Sequence, residues 1–108
     1  MKKTVLITGG AGFIGSHTAD ALAKKGYKIK ILDSLEPPTH QKPRWPAYVL
    51  GKGYKLIKGD VCDRQTLAKV LHSVDFVFHF AAYQDQRQDF SRFFEVNTLS
   101  SALLYETI

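Results

Sequence analysis

The sequence predicts an α/β fold in which a parallel sheet of order 3-2-1-4 carries helices on both faces. Three observations predict it. Short β-prone runs alternate with helix-spaced segments along the chain, the arrangement that builds parallel sheets. The first run, Lys3 to Thr8, is almost continuously apolar, as a strand buried on both faces must be. A glycine-rich turn then separates the first strand from the first helix, and right-handed crossovers from that point set the strand order.

The elements follow in sequence. After the first strand, Phe13 to Lys25 reads as a helix, with Ile14, Thr18, Ala21, Leu22 and Lys25 on one face. Lys24 and Lys25 occupy its last turn, and Gly26 stops it. Tyr27 to Asp33 alternates and then becomes apolar, as a second strand. Ser34 to Gly53 is irregular and holds Pro37, Pro38, Pro43 and Pro46. Such a link is long for a compact domain; Pro46 opens a short helical turn through Ala47-Tyr48-Val49-Leu50. Tyr54 to Lys58 is the third strand. Asp63 caps a helix in which Leu67, Val70, Leu71 and Val74 recur at i, i+3, i+4, i+7. Asp75 to Phe80 is the fourth strand, rich in aromatic residues. Ala81 to Asp89 is a polar loop, and Ser91 caps a last helix with Phe93, Val96, Ser100 and Leu103 on one face.

Composition bounds the function. The 108 residues suffice for one small domain, here 1–108. A hydrophobic content of 44% supports a core, and 23% charged residues argues against disorder. The net charge of +5 comes from scattered lysines with no arginine block. That argues against a nucleic-acid partner and suits an anionic nucleotide. Cys62 is the only cysteine, so no internal disulfide forms, and no His/Cys spacing of zinc type occurs. Lys2-Lys3, the apolar run and Ala19-Asp20-Ala21 superficially resemble a signal peptide. Four glycines break the run, and His17 and Asp20 follow it; a cytoplasmic domain is expected, with no membrane partner. The last helix breaks off at Tyr105-Glu106-Thr107-Ile108 without a glycine or a cap. The fourth strand would also leave an aromatic edge bare. The segment is therefore expected to be incomplete at its C-terminal end, the front part of something longer.

The glycine turn carries the chemistry. Thr8-Gly9-Gly10-Ala11-Gly12-Phe13-Ile14-Gly15 joins strand to helix and marks a Rossmann-like dinucleotide site. Gly9 and Gly10 permit the tight turn, Gly12 lets a pyrophosphate touch the backbone, and Gly15 lets the helix lie close on the strand. The helix start offers unpaired N–H donors and positive dipole to an anion. Asp33 ends the second strand 18 residues after Gly15. A carboxylate there accepts from the adenosine ribose hydroxyls and repels a 2′-phosphate. Ser34 and Leu35 follow it in place of an arginine, which favours NAD over NADP. Asp60, after the third strand, could accept from the adenine amino group or be a solvated turn residue. Cys62 reads as an apolar filler, and His79 as a satisfied core histidine. Asn97 lies on an apolar helical face, where a buried amide needs partners.

These residues together resemble the extended short-chain dehydrogenase/reductase family, especially its nucleotide-sugar epimerases and dehydratases. The matching pieces are Thr8 to His17, Leu32-Asp33-Ser34-Leu35, Gly59-Asp60-Val61-Cys62-Asp63, His79-Phe80-Ala81-Ala82 and Glu95-Val96-Asn97-Thr98. Tyr83-Gln84-Asp85 with Phe90 to Phe94 looks most like a 4-epimerase branch, with a deoxythymidine-diphosphate deoxysugar as one candidate substrate. The resemblance implies that Gly9, Gly12, Phe13, Ile14 and Gly15 hold the pyrophosphate of NAD. It gives Asp33 and Ser34 the adenosine ribose, and Asp60 and Val61 the adenine. Phe80, Ala81, Ala82 and Tyr83 run beside the ribose and nicotinamide, and Asn97 lies near the cofactor. The implied reaction is transient oxidation of a sugar carbon, with a tyrosine made acidic by a nearby lysine taking the hydroxyl proton. The implied parent is a homodimer with a nucleotide-sugar substrate.

One departure matters. In the family the catalytic Tyr-x-x-x-Lys lies beyond the fourth strand, after this chain has ended. Tyr48-x-x-x-Lys52 and Tyr54-x-x-x-Lys58 match internally and read as decoys. On a helix, residues four apart stand roughly 6 Å from each other; on a strand they span about 13 Å. Tyr48 and Lys52 straddle Gly51 and are expected on the side of the fold away from the site. No catalytic residue is therefore assigned within the 108 residues, and the chain alone is expected to be inactive. The alternatives are an extended-family reductase of a non-sugar carbonyl using NAD(P), a non-catalytic NAD-binding module, and a truncated gene product that barely folds.

Overall fold

A computed structural model of the chain describes residues 2–35, 44–81 and 100–107. Four strands form one parallel sheet: β1 (Thr4–Thr8), β2 (Lys28–Asp33), β3 (Lys55–Lys58) and β4 (Phe76–His79). Their order is β3-β2-β1-β4, as the sequence predicts. Thr8 of β1 lies opposite Leu32 of β2 and His79 of β4, so the C-terminal ends of three strands meet at one level. Among the described residues three helices accompany them: α1 (Phe13–Lys24), α2 (Arg64–Val70) and α3 (Ser100–Thr107). A 3-10 turn at Ala47–Val49 follows Pro46, where the proline predicts it. The expectations for Ala82 to Asp89, Ser91, Phe93, Val96 and Asn97 lie outside the described residues.

The pleat divides the core. Val5 and Ile7 of β1 join Ile29 and Ile31 of β2 on one face, where Ala19 of α1 and Val49 pack. Leu6 and Leu32 point the other way, onto Val61, Leu67 and Val70, with Leu103 and Leu104 of α3. Both faces of β1 are thus covered, which is why its sequence shows no alternation. An exposed ion pair of 2.9 Å joins Arg64 of α2 to Glu106 of α3.

Two expectations about the helices are corrected. The fully buried residues of α1 are Gly15, Ser16 and Ala19; of the expected stripe Leu22 does pack on the core, but Ile14, Ala21 and Lys25 are exposed. Ile14 is 64% exposed and Phe13 77%. Small side chains win this face because the helix lies against the glycine turn, where bulk cannot enter. The second helix ends at Val70, one turn earlier than its apolar pattern suggests. Leu71 and Val74 still pack on the core, but from a turn in which Ser73 takes φ 61°. Lys30 Nζ donates to the Val70 and His72 carbonyls there, at 3.3 and 2.9 Å, and ties off the helix end.

The predicted caps form. Asp63 accepts the Gln65 N–H at the start of α2. At the end of α1, Gly26 adopts φ 95°. Its N–H donates to the Ala23 carbonyl at 3.0 Å, and that of Tyr27 to Leu22 at 3.2 Å, the paired closure that a left-handed glycine permits.

Candidate cofactor site

The site lies at the C-terminal ends of β1, β2 and β4, where the chain leaves β1 toward one side and β4 lies on the other. Parallel sheets open a ligand crevice at such a point. The glycine turn fills its floor. Gly9, at φ 71°, donates its N–H to the Leu32 carbonyl at 2.8 Å. A Cβ on Gly9 would lie 2.8 Å from Ala81 N, so the turn passes hard against the end of β4. A Cβ on Gly15 would collide with the Gly9 carbonyl oxygen and lie 2.8 Å from Gly10 Cα. Gly15 therefore closes the helix onto the turn itself, rather than onto the strand as the sequence suggests. Gly12 is different: a Cβ there would meet only Gly9 O, at 3.3 Å. That contact is tight but far milder than the collisions at Gly9 and Gly15, and the rest of the Gly12 face is open.

Gly12 is also the N-cap of α1 and has no side chain to cap it, and the first turn carries no acidic residue. The N–H groups of Phe13, Ile14 and Gly15 precede the first bond of the helix ladder, Ser16 N–H to Gly12 O at 3.0 Å. An anion would find there both donors and the positive end of the dipole. The Phe13 and Ile14 side chains are exposed.

Asp33 is placed where the sequence puts it and has a further task. Its Oδ2 accepts the Ala11 N–H at 3.1 Å and its Oδ1 the Leu35 N–H at 2.8 Å. One carboxylate thus joins the end of β2 to the glycine turn. Ser34 lies beside it, partly buried. Asp60 holds its own turn, accepting the Cys62 N–H at 2.8 Å. The Val61 side chain is buried in the core.

On the β4 side, Thr8 is fully buried. Its Oγ1 lies 2.6 Å from His79 Nδ1 and accepts the Ala81 N–H at 3.2 Å. Burial holds the His79 imidazole below its ordinary pKa of 6.5. Phe80 is 39% exposed and Ala81 partly buried at the crevice rim. Ala82, Tyr83 and Asn97 lie outside the described residues.

Neither internal Tyr-x-x-x-Lys match pairs its tyrosine with its lysine. Lys52 makes a 2.8 Å ion pair with Asp20, and Tyr54 donates to the same carboxylate at 2.6 Å. Burial and Asp20 push the Tyr54 phenol up to about 12, away from the acidity a base requires. The placement of Tyr48 is corrected. It does not lie away from the site: its hydroxyl donates to the Ala11 carbonyl in the glycine turn at 2.5 Å. No sequence signal pointed there, because the link before it has no periodicity to fix where the chain returns.

Among the described residues no helix is long and apolar enough to cross a membrane. No group of His, Cys, Asp or Glu among them is arranged to hold a metal ion.

The sheet order, the turn and the carboxylate define a dinucleotide-binding α/β protein. Residues 5–108 match the model of the NAD dependent epimerase/dehydratase family. A UDP-glucose 4-epimerase of Neisseria meningitidis serogroup A is 33% identical over 96% of this chain and 32% of its own length. Among solved structures, UDP-glucose 4-epimerase from Brucella ovis in complex with NAD superposes with a TM-score of 0.76. It is 32% identical, over 97% of this chain and 31% of that one. dTDP-glucose 4,6-dehydratase from Bacillus anthracis, also in complex with NAD, superposes at 0.77 with 26% identity, over 96% and 32%. The chain belongs to the NAD dependent epimerase/dehydratase family, within the extended short-chain dehydrogenases/reductases. It spans about a third of the length of these relatives.

Proposed function

We propose that the chain is the NAD-binding portion of a nucleotide-sugar epimerase or dehydratase. The observation that carries this reading is the Asp33 carboxylate bonded to the Ala11 N–H. It ties the carboxylate at the end of β2 to the glycine turn, which supports reading the two as the ribose and phosphate contacts of one dinucleotide. The bare face of Gly12 and the uncapped start of α1 support the same ligand.

In this reading the N–H groups of Phe13, Ile14 and Gly15, with Gly9 and Gly12, hold the pyrophosphate. Asp33 and Ser34 take the adenosine ribose, and Asp60 with the Val61 backbone takes the adenine. Phe80 and Ala81, followed by Ala82 and Tyr83, run beside the nicotinamide ribose, with Asn97 near the cofactor. The fixed negative charge of Asp33 repels a 2′-phosphate and selects NAD. When bound, NAD supplies a hydride acceptor for a sugar carbon. These residues bind and orient it, and none of them is assigned to move the substrate proton. The 108-residue chain is accordingly proposed to bind NAD without turning over a nucleotide sugar. A cytoplasmic location and a homodimeric whole protein with a nucleotide-sugar substrate complete the proposal, and the family resemblance supports them.

Calorimetry with NAD and NADP on the wild type and Asp33→Asn tests it. NAD is expected to bind more tightly, and D33N to narrow the difference by weakening NAD. Equal or tighter NADP binding by the wild type would instead favour a reductase of a non-sugar carbonyl.

A further inference from the structure

Two successive peptide units of the glycine turn are each held by a side chain from outside it. In the Gly10–Ala11 unit the N–H donates to Asp33 Oδ2 at 3.1 Å. In the Ala11–Gly12 unit the N–H donates to Gly9 O at 3.1 Å. The carbonyl of that same unit accepts from the Tyr48 hydroxyl at 2.5 Å. A peptide unit is planar, so gripping its N–H and its C=O on opposite edges fixes its plane. The next N–H groups along the chain are those of Phe13, Ile14 and Gly15, at the start of α1.

We propose that Tyr48 is a positioning residue for the diphosphate of the bound dinucleotide. Its hydroxyl holds the Ala11–Gly12 peptide in the orientation that aims the start of α1 at the phosphates. This rests on the dinucleotide reading given above. The tyrosine is itself well placed to keep its grip. Its neighbour Val49 is buried in the core cluster with Ile29 and Ile31, which anchors the 3-10 turn at β2. Pro46, in extended backbone at φ −62° and ψ 148°, sets the entry to that turn. Burial and the nearby Asp33 charge raise the Tyr48 phenol above its ordinary pKa of 10.0, so at neutral pH it keeps the proton it donates.

The two side chains on Ala11 divide the ligand between them. Asp33 lies where the ribose binds and braces the turn as well. Tyr48 touches the turn through the one carbonyl whose plane leads into the phosphate donors. Losing Tyr48 should therefore damage phosphate binding while sparing the nucleoside, whereas losing Asp33 should damage both.

The test uses Tyr48→Phe in the intact protein, with Asp33→Asn as the comparison and two probes, ADP and adenosine. Affinities come from calorimetry for ADP and from amide shift titration for adenosine, with Tm as a check on the fold. Y48F is expected to weaken ADP about fivefold, the effect of one ordinary hydrogen bond, with adenosine affinity unchanged and the Tm nearly so. D33N is expected to weaken both probes. Wild-type affinity for ADP in Y48F would overturn the proposal. So would a parallel loss of ADP and adenosine binding together with a fall in Tm, which would make Tyr48 a purely structural residue. If the wild type fails to bind ADP at all, the dinucleotide reading falls and this inference with it. An amide spectrum of Y48F adds an independent readout: the Ala11, Gly12 and Phe13 signals should move, and unmoved signals would also overturn it.

Discussion

Thr8 Oγ1 and His79 Nδ1 stand 2.6 Å apart, although 71 residues separate them in the chain. The contact joins the C-terminal ends of β1 and β4, next to the closest approach of Gly9 to the Phe80–Ala81 peptide. Thr8 also accepts the Ala81 N–H. One buried hydroxyl thus ties β1 to the end of β4, as Asp33 ties the end of β2 to the glycine turn. The neutral imidazole that burial favours accepts the Thr8 hydroxyl proton at Nδ1 when its own proton is on Nε2.

That arrangement has a pH consequence. Folding lowers the His79 pKa below 6.5, so on acidification the unfolded chain takes up this proton first. The stability tied to His79 is complete above about pH 6.5 and is lost as pH falls through the folded value. Thermal melts at about pH 7.5 and about pH 5.5 should show a loss for the wild type that is smaller in His79→Gln. An equal loss in both would mean that His79 does not contribute.

Gly12 and Gly15 should separate binding from folding. A Cβ at Gly15 meets the Gly9 backbone, whereas one at Gly12 meets only Gly9 O at 3.3 Å. Gly15→Ala should cost about 1–3 kcal/mol of stability through overpacking. Gly12→Ala should cost less stability than Gly15→Ala and lose most of its NAD affinity, because the methyl group stands where a diphosphate would approach. Denaturation and calorimetry on the two variants check this. If G12A binds NAD normally, the diphosphate does not lie on that face.

Asp20 ties α1 to the approach to β3 through Lys52 and Tyr54. The Lys52 hydrogen bond is the larger cause that lowers the Asp20 carboxyl pKa from 3.8, with the Tyr54 bond next. A depressed folded pKa contributes stability that is present above 3.8 and is lost as pH falls through the folded value. The carboxylate is 39% exposed, so the contribution is small. An NMR titration of the Asp20 side-chain carbon should give a midpoint below 3.8. Lys52→Met should move it up more than Tyr54→Phe does, and a reversed order would put the tyrosine first.

Much of this was legible in the sequence because it is written locally. A strand, a glycine turn and a helix are contiguous, so the β1–α1 site could be read from Thr8 to Gly15. Asp33 and the strand order followed from chain direction and crossover handedness. Asp63 and Gly26 declared themselves as caps by residue type. What escaped were contacts that close long stretches of chain. Nothing in the sequence says that Tyr48 meets Ala11, Tyr54 meets Asp20 or Thr8 meets His79. The buried face of α1 was misread for a related reason. Apolar bulk is a guide to burial only where there is room for it, and against the turn only glycine, serine and alanine fit.

The outer edge of β4 gives the last prediction. Phe76, Phe78 and Phe80 are 46%, 37% and 39% exposed. Phe76 and Phe78 pair in register with Val5 and Ile7, so they share the α1 face of the sheet with them. Yet α1 packs over β1 and β2 through Ala19 and leaves these rings open. Among the described strands β4 pairs with β1 alone, which adds a bare backbone edge to an apolar face. Such an edge is a template for association between copies. The 108-residue polypeptide by itself is therefore expected to self-associate. Phe78→Lys should suppress this by setting a charge in the middle of the strip, at some cost in Tm because the half-covered ring it replaces also packs on Phe80, with centroids 6.0 Å apart. Sedimentation velocity across a concentration series checks both halves. A wild-type chain that stays monomeric and melts reversibly would show that these rings do not drive association.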